Sequence, residues 1–366
     1  MSNPTLLRRS VPSSLHPVPG IDESFFVHAP NARVQEIAQL CAAEAVGAIY
    51  TMPVGKARDT TFQKTLATHR EIAGDTGTVL ADANRYYGTS RLPASAPLSI
   101  DWLQRQWDAG ISWALTDSGY IDRDADEELN TLFAGADELA RKTNGQFFLT
   151  VPADNHWVTT RAADLRAVVE QHGIPVIYLF GSTGDPLASK KAVEGLLYLL
   201  DSEVPSALMR TDQAAIGALA GNAVFGAMGT STSLRHIYPP RKGGGFSPSP
   251  FPSAFLPQGL SFHRIDTLAR AIALSPEELH WICSCERDQG MRLDSILDAT
   301  HAFTHSLLSL TEVARHVLTG GDRPTSLASW GALCRNAQFV HIDIETTTGM
   351  KWDYPSFLGS WGSVTS

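Results

Sequence analysis

Only four cysteines occur in the 366 residues, too few for a disulfide scaffold in a chain of this size. No apolar stretch follows the two arginines near the start. Residues 1–22 (MSNPTLLRRSVPSSLHPVPGID) therefore read as a flexible lead-in and not as an export signal. Reduced thiols and a cytoplasmic location are the expectation. No run of 18 or more apolar residues is present, so a transmembrane helix and a membrane partner are not expected. Basic charge is also short. Against 29 Lys and Arg stand 38 Asp and Glu, a formal charge of −9. Proteins that grip nucleic acid by its backbone usually show a basic surface, and only Arg235–Lys242 offers a local one. No lysine stands at the end of a predicted strand, Lys56 coming nearest, which argues against Schiff-base chemistry.

The remaining composition is globular, 43% hydrophobic and 18% charged. Eight short apolar segments are rich in β-branched and aromatic residues: Ser24–Ala29, Gly47–Met52, Thr78–Asp82, Ile111–Asp117, Gln146–Val151, Pro175–Phe180, Pro205–Arg210 and Ala223–Met228. Amphipathic stretches lie between most of them, among them Val34–Ala45, Asp126–Lys142 and Ala188–Leu200, with apolar residues every three or four positions. Most segments start roughly 23 to 35 residues apart, the length of one βα unit. The last interval is shorter, so the final crossover is short or that strand is misplaced. Eight alternating units predict a (β/α)8 TIM-type barrel over residues 23–240, a doubly wound open sheet being the alternative.

Residues 241–259 are dense in Gly, Pro and Ser and read as a loop. Residues 260–366 turn helical and form a C-terminal appendage, with helices expected over Ile265–Leu274, Ser275–Cys285 and Leu293–Leu318. Ser275-Pro276-Glu277-Glu278 has the N-cap, proline and acidic pattern of a helix start.

Parallel barrels carry function at the C-terminal ends of their strands. Those ends hold His28, Thr51, Asp82, Asp117, Asp154, Asp185, Arg210 with Asp212, and Thr230 to Arg235. Aspartate is a poor strand residue, so its recurrence is informative. Asp212 and Asp185 read as helix N-caps, the latter with Pro186 at the first turn. Asp82 and Asp117 precede Gly/aromatic turns and not helices, and are the candidate catalytic carboxylates. Tyr86, Tyr120 and Asp154 lie beside them as candidate substrate contacts. Arg210 and Arg235 could take an anion, Arg235 following the Gly229–Ser233 loop where barrels often hold phosphate.

A separate cluster is Cys283-Ser284-Cys285, with His280 before it and His301 and His305 after it. Two thiolates and a histidine are sound zinc ligands. A fourth could be Asp288 or Cys334. Buried thiols packed as core are the alternative.

Met52–Gly55 (MPVG), Leu80–Gly88 (LADANRYYG), Leu115–Tyr120 (LTDSGY) and the later C-x-C with its following histidine together resemble the tRNA-guanine transglycosylase-like superfamily. The resemblance implies a zinc-containing (β/α)8 barrel that exchanges a base on a nucleic acid using two aspartates. It implies Asp117 as the acid/base residue, Tyr120 as a base-stacking aromatic, and Cys283, Cys285 and His301 as three of four Zn2+ ligands. The chain departs from the pattern in three places. The motif at Asp117 has one glycine fewer, Asp288 stands where a third cysteine is expected, and Gly226 follows Phe225 where the nucleophilic aspartate is expected.

Three functions follow. The first is a transglycosylase-like enzyme on a nucleoside, a base, or RNA or DNA, with Asp117 and Asp82 in its site. The second is a barrel lyase or hydrolase acting on a small anionic metabolite through Arg210 and Arg235. The third is a catalytically inactive barrel that serves as a binding protein. A homodimer is compatible with all three.

Overall fold

The computed structural model describes residues 6–9, 18–55, 57–74, 78–88, 91–239 and 252–365. Eight parallel strands form a nearly closed barrel: β1 (Ser24–Pro30), β2 (Gly47–Thr51), β3 (Val79–Asp82), β4 (Trp113–Leu115), β5 (Gln146–Asp154), β6 (Val176–Gly181), β7 (Ser206–Thr211) and β8 (Phe225–Gly229). Hydrogen bonding runs β3-β2-β1-β8-β7-β6-β5-β4. β3 and β4 lie against each other across the remaining seam. The helices up to the last crossover are α1 (Val34–Glu44), α2 (Arg58–Ala73), α3 (Ile100–Asp108), α4 (Asp126–Lys142), α5 (His156–Thr159), α6 (Ala162–His172), α7 (Lys190–Leu200) and α8 (Ala214–Ala220). The fold is thus the expected TIM-type barrel with a helical C-terminal appendage.

Phe148 on β5 meets Phe225 on β8 edge to face at 5.5 Å, and Phe225 meets Phe26 on β1 at 5.1 Å. β5 and β8 are not neighbours in the sheet, so this contact crosses the barrel interior. Each such ring contributes about 1.5–3 kcal/mol by leaving water. Strand side chains alternate between faces. His28, two residues beyond Phe26, therefore points inward one layer nearer the mouth, and Gly226 faces outward.

The last crossover is short, as the spacing allowed. α8 reads AAIGALA and all seven residues are buried, so it has no polar face for solvent. The appendage supplies its cover. A Cβ on Gly217 would fall 2.5 Å from the Trp330 indole nitrogen and 2.7 Å from the Trp361 ring, so glycine is what lets these two tryptophans close over α8.

The appendage begins differently from expectation. Residues 241–251 of the expected loop lie outside the described residues. Ser253–Leu256 forms β9, paired antiparallel with β10 (Ser261–Arg264), because Ala254, Phe255 and Leu256 are apolar enough to be fully buried. α9 (Ile265–Leu274) follows. The helix expected over Ser275–Cys285 is not formed. That stretch holds only a 3-10 turn, Leu279–Trp281, and then an irregular loop. α10 (Ala299–Thr319) starts later than expected, at the N-cap Asp298. α11 (Arg323–Thr348) is capped by Asp322, and α12 (Phe357–Val364) ends the described chain. No described helix is long and apolar enough to cross a membrane.

Candidate functional site

The inward layer at the mouth is a buried polar network. Asp82, 2% exposed, ends β3. Its Oδ2 accepts from the Tyr86 hydroxyl at 2.7 Å and lies 3.2 Å from His28 Nε2 and 3.5 Å from Arg210 Nη2. Its Oδ1 accepts from the Asn84 amide at 2.8 Å. Arg210, from β7, also donates to the Tyr86 oxygen at 3.0 Å, the Asn84 side chain at 2.6 Å and the Ser233 carbonyl at 2.9 Å. Asn84 and Arg210 both adopt positive φ, 53° and 55°, conformations that cost L-residues energy and persist when the surroundings over-determine them. Burial alone would raise the Asp82 carboxyl. Hydrogen bonding to His28 and the Arg210 charge outweigh it and bring the value down to about 2. Burial keeps His28 below the ordinary imidazole range in spite of Asp82, and its Nε2 also lies 2.8 Å from the Thr51 hydroxyl. The sequence placed Asp82, Tyr86 and Arg210 at one site, and the structure brings all three together. There they satisfy one another.

Asp117 sits apart from this network. Its Oδ1 accepts from the Ser99 amide at 2.9 Å, and Ser99 is the N-cap of α3. Its Oδ2 faces Arg58 Nη1 at 4.0 Å and Arg85 Nη1 at 3.9 Å. Both separations exceed a direct hydrogen bond. Arg58 lies over the Trp102 ring at 4.6 Å, and Arg85 Nε is buried without a partner. Tyr120, also buried, has Arg91 over its ring at 4.4 Å and no partner for its hydroxyl. Burial and then the Asp154 charge raise that phenol. Asp154 accepts from the His156 amide at 2.9 Å. A Cβ at Gly181 would come within 2.4 Å of the Tyr120 oxygen, so β6 must end in glycine to admit the tyrosine. Arg58 and Arg91 escaped the sequence reading. The signal was there: an arginine follows the end of β2, and two follow β3.

Asp212 accepts from the Ala214 amide at 3.0 Å just before α8, whose N-cap position is held by Gln213. Asp185 differs from expectation. It accepts from the Leu187 amide at 2.8 Å in a turn, while α7 begins at Lys190 with Ser189 as its cap. Burial first and the Asp212 charge second raise the Asp185 carboxyl to about 7. Burial likewise raises Asp212. Arg235 is half-buried, with its guanidinium 3.5 Å over the Phe262 ring. Burial lowers it to about 10, against the pull of Asp212, and it stays charged at neutral pH.

The appendage gathers a second constellation. Between the 3-10 turn and α10 the chain folds back on itself. The Cys283 amide donates to Met291 O at 2.8 Å, and Gly290, at φ +78°, donates to Cys283 O at 2.9 Å. This loop presents Cys283, Cys285 and Asp288, and α10 adds His305. One ligand atom from each lies within 4.8 Å of all the others, and all four residues are buried. His305 Nδ1 is 3.4 Å from Cys283 Sγ, 3.7 Å from Cys285 Sγ and 3.0 Å from Asp288 Oδ2. Cys285 Sγ is 3.7 Å from the same carboxylate oxygen.

Zn–S bonds of ~2.3 Å and Zn–N/O bonds of ~2.0–2.1 Å give a tetrahedron with edges of roughly 3.3–3.8 Å. The four distances fit those edges within about 0.3 Å. The sulfurs, 3.1 Å apart, would open by about 0.7 Å to span the S–S edge, and they are too far apart for a disulfide. His305 Nε2 is bonded to the Phe255 carbonyl at 2.8 Å, which fixes the tautomer that frees Nδ1 for a metal. His301, expected as a ligand, instead bonds the other Asp288 oxygen at 2.8 Å and orients it. Cys334 lies in the barrel-facing core and not here.

No family model matches the chain, and no curated protein matches it significantly. Among solved structures it is similar to the YdjI aldolase from Escherichia coli K12, 13% identical over 81% of this chain and 92% of that one, with a TM-score of 0.38. It is also similar to a 3-dehydroquinate dehydratase from Geobacillus kaustophilus HTA426, 14% identical over 58% and 86%, TM-score 0.36. A third is an enolase from Sargasso Sea environmental sequencing, 13% identical over 59% of this chain, TM-score 0.32; the match spans 55% of that enolase. Likenesses this distant say nothing of the chemistry.

Proposed function

We propose that the chain is a transglycosylase-like enzyme that exchanges or cleaves a base at a glycosidic bond of a nucleoside or nucleic acid. The observation that carries this reading is the four-ligand set Cys283, Cys285, Asp288 and His305. Two of its members, Cys283 and Cys285, are ligands the resemblance implies; His305 takes the place of His301, which bonds Asp288 instead, and Asp288 stands in place of the third cysteine. Zinc bound there by four protein ligands would leave no open position and would supply folding energy to the appendage. The arginines of the mouth add support. Arg58, Arg85 and Arg91 surround Asp117 and Tyr120 in a chain whose total charge is −9, as a polyanionic substrate would need.

In this reading Asp117 carries the proton. A departing base takes a proton on its ring nitrogen and an incoming base or water loses one, and one anchored carboxylate serves both transfers. Ser99 holds Oδ1, leaving Oδ2 free to turn to the substrate. Gly226 has no side chain to serve as a covalent nucleophile, and it faces α8, its Cβ position lying 2.4 Å from Ala215 O. Exchange then proceeds by direct displacement.

A lyase or hydrolase acting on a small anionic metabolite is the second reading, favoured by the Asp185–Asp212 pair. Burial and like charge hold Asp185 protonated into the neutral range, as a general acid requires. Incubation of the protein with a labelled free base and RNA or nucleosides separates the two. Asp117→Asn should lower incorporation by at least about 100-fold with an unchanged circular dichroism spectrum. Full activity in that variant removes Asp117 from the mechanism. Absence of base exchange, with turnover of a small anion lost in Asp185→Asn, establishes the second reading instead.

A further inference from the structure

We infer that a cavity between the end of β8 and the appendage is a binding subsite for a phosphate group. It encloses about 110 Å³ and is lined by Thr230 from the β8 loop, Arg33 before α1, Arg235, Phe262 of β10 and Phe303 of α10, over an apolar floor. A space of that size holds several waters or one tetrahedral oxyanion.

Its chemistry is one-sided. Two guanidiniums reach it, and no Asp or Glu lines it. Each arginine lies over an aromatic ring, Arg235 over Phe262 at 3.5 Å and Arg33 over Phe303 at 4.7 Å. Such stacking fixes the plane of a guanidinium and leaves its edge nitrogens to bond an anion. Arg33 is paired with Glu36 at 2.8 Å. Arg235 is not neutralised: it has no carboxylate within 4 Å among the described residues, and its only hydrogen bond there runs from Nε to Gly229 O at 3.4 Å. Its two terminal nitrogens have no acceptor among the described residues. The Thr230 hydroxyl is buried and likewise unpartnered.

The backbone is built to produce this arrangement. A Cβ on Gly229 would lie 2.2 Å from Leu234 O, so only glycine lets the chain double back tightly enough to lay Arg235 over the end of its own strand. Buried donors without partners cost free energy, and a bound oxyanion is the group that satisfies both of these. The loops closing the last strands of parallel barrels are a recurrent place for such a group. Here the appendage forms the outer wall, so the subsite exists only when appendage and barrel are docked. It stands independently of the Asp117 chemistry, since neither residue set touches the other.

Calorimetric titration of the full chain tests the inference with three probes: inorganic phosphate, guanosine 5′-monophosphate and unphosphorylated guanosine. Inorganic phosphate should bind with a dissociation constant at or below the millimolar range. Arg235→Gln should weaken that binding by about 10-fold or more. Thr230→Val, nearly isosteric and so the safer variant for folding, should weaken it roughly 3- to 10-fold. Tighter binding of the monophosphate than of phosphate, with loss of the same factor in both variants, places a nucleotide's phosphate in the cavity. Equal binding of both assigns it to a free phosphate ion. No binding of inorganic phosphate at millimolar concentration, or affinities unchanged in a folded Thr230→Val, overturns the inference.

Discussion

Replacing Asp82 by alanine should destabilise the protein by about 3–5 kcal/mol, because it strands Arg210. Arg210 is 2% exposed, and Asp82 is its only carboxylate within 4 Å among the described residues. The guanidinium would keep its bonds to Asn84 and Ser233, both neutral acceptors, but its charge would be buried without a counter-charge. The Tyr86 hydroxyl and the Asn84 amide would lose their acceptor at the same time. Unfolding entropy of ~2.1 cal/mol/K per residue gives roughly 0.8 kcal/mol/K for a chain of this length, so the expected fall in Tm is about 5 °C. Differential scanning calorimetry reads it directly. A buried ion pair exchanged whole for apolar groups is often neutral, so Asp82→Leu combined with Arg210→Met should recover most of the loss. A Tm for Asp82→Ala within about 1 °C of wild type would refute the reasoning. It would mean that the charge is solvated and that Asp82 is free to act on substrate.

Acid should weaken the fold before most carboxylates titrate. His69 and His341 are fully buried, and burial holds both at about 4. Between that value and 6.5 the unfolded chain binds more protons than the folded one, so stability is complete above about pH 6.5 and falls toward pH 4 by up to roughly 3 kcal/mol per histidine. Urea midpoints at pH 7.5 and 5 check this, and equal midpoints would contradict it. Placing an aspartate at position 226 should not create a nucleophile. Gly226→Asp drives its Cβ against Ala215 O and should cost at least about 1–3 kcal/mol, with thermal melting as the check and an undisturbed melt as the contrary result.

The barrel was legible because its signals are local. Strand and helix periods alternate along the chain, and the short last interval left room for a crossover as short as α8. The polar residues of the barrel mouth were legible one by one but not in their pairing. Asp82 stands out in a strand, yet the partner that satisfies it, Arg210, lies 128 residues away, and no local pattern records such a pairing. His301 and His305 are one helical turn apart on α10, so both face the Cys283 loop. Spacing cannot choose between them. The choice is made by Phe255, whose carbonyl orients His305, and by the first turn of α10, where the His301 amide binds Asp298 at 2.8 Å. The start pattern at Ser275 failed for a related reason. The residues after it are turned back to bring Cys283, Cys285 and Asp288 to one point, and a continuous helix would spread them around its axis.

The metal centre is the claim on which the functional reading rests, and elemental analysis of the purified chain tests it most directly. The account predicts about one zinc per chain, lost in His305→Ala and Cys283→Ser and retained, with weaker affinity, in His301→Ala. Absence of zinc from the wild type, or zinc that survives His305→Ala but not His301→Ala, would contradict it.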